Sequence, residues 1–271
     1  MKKNSGFVAG TLVHTNKGLV PIQEIKVGDM VLSSPEQRDR TVREYKRVVN
    51  TFKAESEEIY ELIIRKTLNP DLEYVEDGIL HNIYEMIYLT AGHPIYVINS
   101  LFIEEWDSQN DIDQINARSG SWQAARDLKM YDRVLVAHPQ YSDSNTYEVV
   151  NIAPVQDVNR DYGFVDRSSI DNNKPFDTIV YFDQHNYKIV GGNILEGRSS
   201  LRNYFIGNYV EANFQNHSVI VKDFRENYEQ ICAKVGGNLE KIPTLQCSVY
   251  NFEVEDYHTY FVGEQGLWVH Q

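Results

Sequence analysis

Residues 24–32 read EIKVGDMVL, and residues 127–135 read DLKMYDRVL. Four of the nine positions in these two stretches are identical, and three more carry similar side chains. Each stretch is typical of a strand, and the first is expected to bend at Gly28 because glycine interrupts a regular strand. Repetition of a structural unit along one chain indicates a duplicated architecture. The two stretches therefore predict two related subdomains.

Two shorter echoes occur in the same chain order. Residues 59–62 (IYEL) resemble residues 249–252 (VYNF), and residues 93–97 (HPIYV) resemble residues 258–262 (HTYFV). A single short strand pattern can recur by chance, but three echoes in one order argue against coincidence. We therefore expect two antiparallel β-subdomains related by an approximate twofold axis.

Short strand patterns separated by turn residues account for most of the remaining sequence. Aromatic residues make up 12% of the chain, and such residues favour strands. Runs rich in β-branched, aliphatic and aromatic residues predict strands within 7–15, 19–22, 24–32, 59–64, 85–90, 94–98, 249–254, 258–262 and 267–270. The predicted fold class is mainly β.

One long segment of the second half differs from its surroundings. Residues 151–246 are first rich in Asp, Asn and Arg, then in Tyr, and contain one helix pattern. The residues of that pattern fall on one helical face, and Gly236 and Gly237 end it: Phe224, Tyr228, Ile231, Cys232 and Val235. We interpret 151–246 as an α+β insertion into the second subdomain.

Composition and charge exclude several function classes. The chain has 271 residues, 42% hydrophobic and 24% charged, which excludes a disordered or fibrous protein. The net charge is −13, whereas phosphate recognition needs a basic face, so we expect no nucleic-acid partner. No apolar run approaches the roughly 20 residues of a membrane span. The start, Met1 to Asn4, lacks the apolar stretch of a secretory signal.

Isolated residues do not predict a metal or cofactor site. Two cysteines, Cys232 and Cys247, cannot alone form a disulfide framework or a tetrahedral zinc site. There is no Gly-rich phosphate loop, no His-Glu-x-x-His pair and no Gly-x-Ser-x-Gly elbow. Five histidines without ligand spacing are expected at the surface or in turns: His14, His81, His138, His185 and His217. We predict no cofactor and no metal.

Three blocks of sequence carry a family resemblance. The chain opens with residues 7–15 (FVAGTLVHT), carries residues 89–97 (LTAGHPIYV) in its middle, and closes with residues 249–254, 258–262 and 268–271. In order and placement these blocks resemble the Hint (hedgehog/intein) superfamily, and are most similar to the pretoxin Hint domains of bacterial polymorphic toxins. The resemblance divides the chain into a flank (1–5), a first Hint part (6–150), the insertion (151–246) and a C-terminal Hint part (247–271).

The resemblance implies an autocatalytic domain that cuts peptide bonds at its own two ends. At the N-terminal junction, a side chain at position 6 attacks the preceding carbonyl, with His93 as general acid and Thr90 holding that carbonyl. A positioned imidazole is worth roughly a hundred- to ten-thousandfold in rate. At the C-terminal junction, residue 271 cyclises on its own carbonyl, polarised by His270 and activated by His258. No cofactor is implied.

Three positions depart from the family pattern. Gly6 stands where the family has a nucleophile, and it has no side chain to attack anything. Gln271 stands where the family ends in Asn, and its longer side chain has one more rotor to freeze on cyclisation. Asn251 stands where many inteins have Asp, and it could also simply cap a strand. We expect an excised, disabled self-cleaving domain, or else a natural variant that cleaves only at its C-terminal end or not at all.

The substrates implied by the resemblance are the domain's own flanking polypeptides. Cleavage is favoured over splicing, and the product would be a freed downstream toxin domain, with an immunity protein as a further partner and a secreted parent protein. The alternative is a non-catalytic protein-binding module on the same scaffold, with insertion 151–246 as its binding surface. A homing endonuclease in 151–246 is disfavoured because that segment is acidic and lacks carboxylate repeats. Convergence of His93, His258 and His270 on residues 6 and 271 distinguishes the first two hypotheses.

Overall fold

A computed structural model describes residues 5–36, 42–66, 75–76, 79–80, 84–98, 120–136, 145–159, 162–165, 178–182, 185–192, 205–206 and 226–271. The strands are β1 (Phe7–Val8), β2 (Leu12–Thr15), β3 (Gly18–Pro21), β4 (Met30–Ser33), β5 (Glu44–Lys66), β6 (Val75–Glu76), β7 (Ile79–Leu80), β8 (Tyr84–Thr90), β9 (Pro94–Ile98), β10 (Gly120–Ala124), β11 (Arg133–Val136), β12 (Asn145–Pro154), β13 (Gln156–Asn159), β14 (Tyr162–Val165), β15 (Thr178–Phe182), β16 (Tyr187–Gly192), β17 (Phe205–Ile206), β18 (Gln246–Val254), β19 (Thr259–Val262) and β20 (Leu267–His270). Short 3₁₀ turns span Ile22–Glu24, Ala125–Asp127 and Leu239–Lys241, and helix α1 covers 226–234. The mainly β fold class predicted from the sequence is confirmed.

A large sheet organises the molecule. Within the described residues it has 14 strands, and its long strand β5 pairs with β4 and β18 through its first half and with β8 and β12 through its second. Pairing is antiparallel except between β17 and β8. Ser56 adopts a left-handed backbone (φ 58°) between the two halves of β5. Because β5 is shared, it connects the two subdomains.

The 24–32 and 127–135 stretches fold into the same local structure, so the first echo is confirmed. In each, a 3₁₀ turn leads into a second turn in which an aspartate accepts a hydrogen bond from the backbone N–H of a lysine three residues earlier. The distances are 2.9 Å for Asp29 with Lys26 and 2.8 Å for Asp132 with Lys129. Neither stretch is one continuous strand; only β4 and β11 at their ends are extended.

The same repeat extends to the neighbouring strands. The N–H of Gly28 donates to the carbonyl of Val48, and the N–H of Tyr131 donates to the carbonyl of Val149, both at 2.8 Å. Gly28 has φ 97° and Tyr131 has φ 71°, so both positions occupy the left-handed region that favours glycine. The second subdomain therefore reproduces this turn with a tyrosine at the strained position.

The third echo is wrong, because the segment that matches 89–97 is 7–15. Ile22 donates its N–H to the carbonyl of Thr11 at 2.8 Å, and Ala125 donates to the carbonyl of His93 at 2.9 Å, so His93 occupies the place of Thr11 in the other subdomain. Both segments contain Ala-Gly at the equivalent turn, residues 9–10 and 91–92. Residues 258–262 lie in β19, beside β2, and have a different place in the sheet.

The second echo fits this correspondence. Residues 59–62 lie in the half of β5 that pairs with β8 and β12, and residues 249–252 lie in β18, which pairs with β1 and the other half of β5. Since 7–15 corresponds to 89–97, β1 corresponds to β8. The two echoed segments therefore have matching neighbours in the two subdomains.

A smaller unit lies within 151–246. Strands β13 to β16 form a four-stranded antiparallel sheet, and Tyr228 and Ile231 of α1 pack against Val158 and Phe164. Phe224 lies outside the described residues. β12 continues in the large sheet as far as Pro154, and β18 begins at Gln246, so the large sheet extends beyond residue 150.

Candidate functional site

The peptide bond between Ser5 and Gly6 is held from both sides. The N–H of Gly6 donates to Thr90 Oγ1 at 3.1 Å, and the N–H of Thr90 donates to the carbonyl of Gly6 at 3.0 Å. Asn251 Nδ2 donates to the carbonyl of Ser5 at 3.0 Å. The hydroxyl of Thr90 therefore contacts the nitrogen of this bond, whereas Asn251 contacts the carbonyl that Thr90 was expected to hold.

Asn251 is itself oriented by two buried donors. Its Oδ1 accepts the hydroxyl of Tyr260 at 2.7 Å and the N–H of Phe252 at 2.8 Å. Tyr260 is fully buried, and burial raises the pKa of its hydroxyl well above the ordinary value, so it remains a hydrogen donor. This network fixes the amide so that Nδ2 points at Ser5. Asn251 thus does more than cap a strand.

His93 is fully buried against Phe7, which follows this peptide bond in the chain. Its ring packs edge-on against Phe7, with the ring centroids 4.3 Å apart, and neither ring nitrogen has a hydrogen-bond partner among the described residues. Burial, with a smaller effect of His270, lowers the pKa of His93 to about 3. With a pKa this low, the imidazole of His93 is neutral near pH 7 and can donate only its single N–H.

Position 6 has no room for a side chain. A Cβ on Gly6 would lie 2.6 Å from the carbonyl oxygen of Tyr250 and 3.0 Å from its carbonyl carbon. These atoms belong to strand β18, which pairs with β1 through Phe7 and Tyr250. A nucleophile at this position would therefore require the two strands to move apart.

The side chain of Gln271 is held by groups from two elements. Its Nε2 lies 2.7 Å from His258 Nδ1, and its Oε1 accepts the N–H of Val254 at 2.5 Å. The N–H of Gln271 also donates to the carbonyl of His258 at 3.0 Å, while His258 adopts a left-handed backbone with φ 57°. An amide N–H facing a ring nitrogen makes His258 Nδ1 the acceptor.

His270 contacts the carbonyl of the same residue. His270 Nδ1 lies 2.9 Å from the oxygen of Gln271, and Nε2 lies 2.7 Å from Glu36 Oε1. The ring also packs edge-on against Trp122 at 5.3 Å between centroids. In a chain that continues past Gln271, that oxygen belongs to the carbonyl of the following peptide bond.

The predicted site residues fall into two groups. Gly6, Thr90, His93 and Asn251 surround the first peptide bond, whereas His258, His270 and Gln271 form the second group. Strands β9 and β20 pair through Ile95 and Val269. If this antiparallel register is continued by two residues along each strand, His93 falls opposite Gln271. The three histidines therefore lie around neighbouring parts of one sheet, but only two of them contact Gln271.

The sequence analysis does not identify three contributors to the site. Tyr260 orients Asn251, the N–H of Val254 binds Gln271, and Glu36 contacts His270. Tyr260 and Val254 lie inside the family-like blocks, where a closer reading of each strand's inward face could have identified Tyr260. Glu36 lies beyond β4 outside every motif, and only the fold brings it to His270.

The remaining histidines are placed as follows. His14 is buried, with Nε2 2.8 Å from the carbonyl of Gly263, so its expected surface position is wrong. His185 is exposed and lines a cavity of about 830 Å³ together with Val8 and Cys247. The positions of three histidines lie outside the described residues: His81, His138 and His217.

Neither a metal cluster nor a membrane helix is found in the part of the chain that the structure describes. No group of three or more His, Cys, Asp or Glu side chains there could hold a metal ion. Helices in the same residues lack the length and apolar character of a membrane crossing.

No protein-family model and no curated protein matches the chain. Solved structures that are similar to it are inteins and intein-like domains. A bacterial intein-like domain from Clostridium thermocellum is 19% identical, with 98% of each chain covered and a TM-score of 0.45. A DnaB intein from Synechocystis is 11% identical, with 98% of this chain and 97% of that chain covered and a TM-score of 0.44. The TvoVMA intein is 10% identical, with 99% and 98% covered and a TM-score of 0.46. At these scores the likenesses carry no inference about the chemistry of the site.

Proposed function

We propose that this chain is a self-processing, intein-like domain that cleaves the peptide bond following Gln271. The observation that carries the proposal is the arrangement around that residue. His258 lies at the side-chain nitrogen, Val254 binds the side-chain oxygen, and His270 lies at the backbone carbonyl. Each of the three groups needed to turn the amide into a nucleophile against its own carbonyl is therefore within hydrogen-bonding distance.

The reaction balances without a co-reactant. Gln271 Nε2 attacks the carbonyl carbon of the bond that follows it, and a new C–N bond closes a six-membered glutarimide. The bond to the next residue's nitrogen breaks. Nε2 gives up one proton to His258, and the departing nitrogen takes up one proton. The products are a C-terminal imide and a free amine, and no water is consumed.

The surrounding donors lower the barrier at two atoms. The N–H of Val254 draws electron density from Oε1 of Gln271, which makes the Nε2 protons easier to remove. His270 Nδ1 is placed to donate to the carbonyl oxygen on which charge develops. Loss of one such donor costs about a hundred- to a thousandfold in rate in well-studied acyl-transfer sites.

The bond between Ser5 and Gly6 remains intact in this proposal. Its carbonyl and nitrogen are bound by Asn251 and Thr90, but Gly6 supplies no nucleophile, and a Cβ there would collide with Tyr250. We infer that the N-terminal acyl shift is lost. The hydrogen bonds from Asn251 and to Thr90 now serve to hold β1 in its place in the sheet. The domain therefore stays joined to any polypeptide that precedes it.

The substrate is then the polypeptide that follows Gln271. By the sequence resemblance to pretoxin Hint domains, we propose that this polypeptide is a toxin domain released by the cleavage. The chemistry involves only Gln271 and the next nitrogen, so it places little demand on the released sequence. A separate immunity protein would bind the released domain.

The test uses the chain extended past Gln271 by a short peptide. The mass of the incubated protein should show release of the peptide over hours, and Gln271→Ala should abolish it, because alanine has no amide to attack the carbonyl. Gln246→Ala is the matched control, since it removes an exposed amide from the start of β18. If the parent chain releases no peptide and its mass stays unchanged, the non-catalytic binding module is favoured instead.

A further inference from the structure

Glu36 contacts the ring nitrogen of His270 that does not face Gln271. Its Oε1 lies 2.7 Å from His270 Nε2, while His270 Nδ1 faces the oxygen of Gln271 at 2.9 Å. The side chains of Glu36 and His270 are 26% and 29% exposed, so water screens this contact only in part. A carboxylate, an imidazole and the carbonyl under attack therefore lie in one line of hydrogen bonds.

Both neighbours of the His270 ring are hydrogen-bond acceptors. A carboxylate oxygen and a carbonyl oxygen can each be satisfied only by an N–H, so the ring needs a proton on both nitrogens. A neutral imidazole carries one proton and would present a lone pair to one of these oxygens.

The orientation of the ring is fixed from several elements. Trp122 of β10 packs against it at 5.3 Å between centroids, and Glu36, which lies beyond β4, contacts Nε2 at 2.7 Å. His258 contacts the side chain of the same Gln271, and His93 interacts with His270 electrostatically. Among these titratable groups, Glu36 is the carboxylate in direct contact with the ring.

We propose that Glu36 is a positioning residue for cleavage after Gln271: its carboxylate holds His270 as a two-proton donor aimed at the scissile carbonyl. This inference rests on the proposed function, because it assigns a role in that same reaction. Glu36 touches neither Gln271 nor the leaving nitrogen in this role. It acts only through His270.

The test compares Glu36→Gln, Glu36→Asp and Glu24→Gln in the chain extended past Gln271. Glu36→Gln keeps the shape and one acceptor oxygen but removes the charge, and Glu24→Gln removes an exposed carboxylate elsewhere. We expect Glu36→Gln to slow cleavage about ten- to a hundredfold, by analogy with the loss of the carboxylate that orients a metal-binding histidine. Glu36→Asp should recover part of the rate, and Glu24→Gln should leave it unchanged.

Two further readouts separate positioning from a loss of folding. The rate–pH profile of Glu36→Gln should be shifted from that of the parent chain, because the contact of the carboxylate with His270 Nε2 is lost. The ¹⁵N chemical shifts of the His270 ring should also differ between the two proteins at the same pH. A parent rate, an unshifted profile or unchanged ring shifts in Glu36→Gln would overturn the proposal.

The outcome also distinguishes this inference from the proposed function. If the parent chain releases no peptide, the proposed function fails, and the ring shifts still report whether Glu36 controls the protons of His270. If the parent chain cleaves and Glu36→Gln cleaves equally fast, only the role of Glu36 is lost. If Glu36→Gln does not fold, Glu36→Asp must slow cleavage and shift the profile in the same direction.

Discussion

His93 and His270 differ in what surrounds them. His93 is buried against Phe7 with no hydrogen-bond partner for either ring nitrogen among the described residues, and its pKa is lowered to about 3. His270 lies between Glu36 and the carbonyl of Gln271. Only the second environment supports a ring that donates two protons. At the residue scale, these contacts favour the proposed chemistry at the C-terminal junction.

The contact between His258 and the side-chain nitrogen of Gln271 gives the first prediction. His258→Ala removes the ring that lies 2.7 Å from Nε2 of Gln271, so the amide must lose its proton to water. We expect cleavage after Gln271 to slow about a hundredfold, the lower end for a positioned general base. The rate of peptide release measures this. His185→Ala, which changes an exposed histidine of β15–β16, should cleave at the parent rate, and equal rates for the two variants would contradict the role of His258.

Asn251 gives a prediction about stability. Asn251→Ala leaves the carbonyl of Ser5 and the hydroxyl of Tyr260 without their partner in a buried site. Each orphaned group costs about 1–3 kcal/mol, so the free energy of unfolding should fall by a few kcal/mol in urea denaturation. Asn50→Ala is the matched control, because exposed Asn50 also accepts the N–H of the next residue and makes neither of the other two contacts. Equal losses in both variants would show that the Ser5 contact contributes nothing.

At the scale of elements, the hairpin of β19 and β20 carries the C-terminal group. Its turn, residues 263–266, is held by Glu85 of β8, whose carboxyl accepts the N–H of Glu264 at 2.5 Å and of Gln265 at 3.1 Å. Gly263 has φ 79°, and a Cβ there would lie against the carboxyl of Glu85, so glycine is required. A buried carboxyl thus ties β8 to the hairpin that positions His270 and Gln271.

The pH dependence of stability follows from Glu85. Burial, aided by the charge of Glu264, raises its pKa to about 8 although the two N–H donors act in the opposite direction. The folded state therefore keeps a proton that the unfolded chain releases near pH 4.3. Stability should be greatest below that pH and fall as pH rises towards 8, by up to about 1.4 kcal/mol per pH unit from this group.

Glu85→Gln tests this dependence. The amide cannot ionise, so urea denaturation between pH 5 and about 8 should show a smaller decline in the free energy of unfolding than in the parent chain. Glu264→Gln, which changes the neighbouring half-buried carboxyl, should retain most of the decline. A parent profile that rises with pH over this range would contradict the protonated state of Glu85.

The elements also show what the sequence could and could not predict. The repeat of 24–32 in 127–135 was predictable because a turn closed by Asp29 or Asp132 depends on residues three apart. The run 7–15 was predicted as one strand, but it breaks into β1 and β2, because the chain turns at residues 9–10. The third echo was wrong for a related reason. Strands at different places in a sheet have similar sequence patterns, and only their long-range pairing distinguishes their places.

The residues that belong to the site could be predicted from the sequence better than the contacts that each of them makes. The family-like blocks identify Thr90, His93, Asn251 and the C-terminal residues, yet they do not show that Thr90 holds a nitrogen and Asn251 a carbonyl. These roles depend on which strand lies opposite β1. The absence of a nucleophile at Gly6 was visible in the sequence, whereas the collision with Tyr250 depends on the pairing of β1 with β18.

At the scale of the whole molecule, both end strands lie inside the large sheet. β1 lies between β18 and β8, and β20 pairs with β19, β11 and β9. Both strands are therefore held by neighbours on each side. In the proposed reaction, the pairing of β20 holds the adjacent Gln271 in a set conformation, which replaces part of the entropic cost of cyclisation.

The mass of the cleaved domain tests the central claim most directly. The chain extended past Gln271 by a short peptide is incubated, and its large product is analysed by intact mass and by fragmentation of its C-terminal peptide. Attack by the amide of Gln271 predicts a product that ends at Gln271 and is lighter by one water than the corresponding acid, because an imide forms without hydrolysis. A product with an ordinary carboxylate from the outset, a cut at another bond, or an uncut chain would contradict the account.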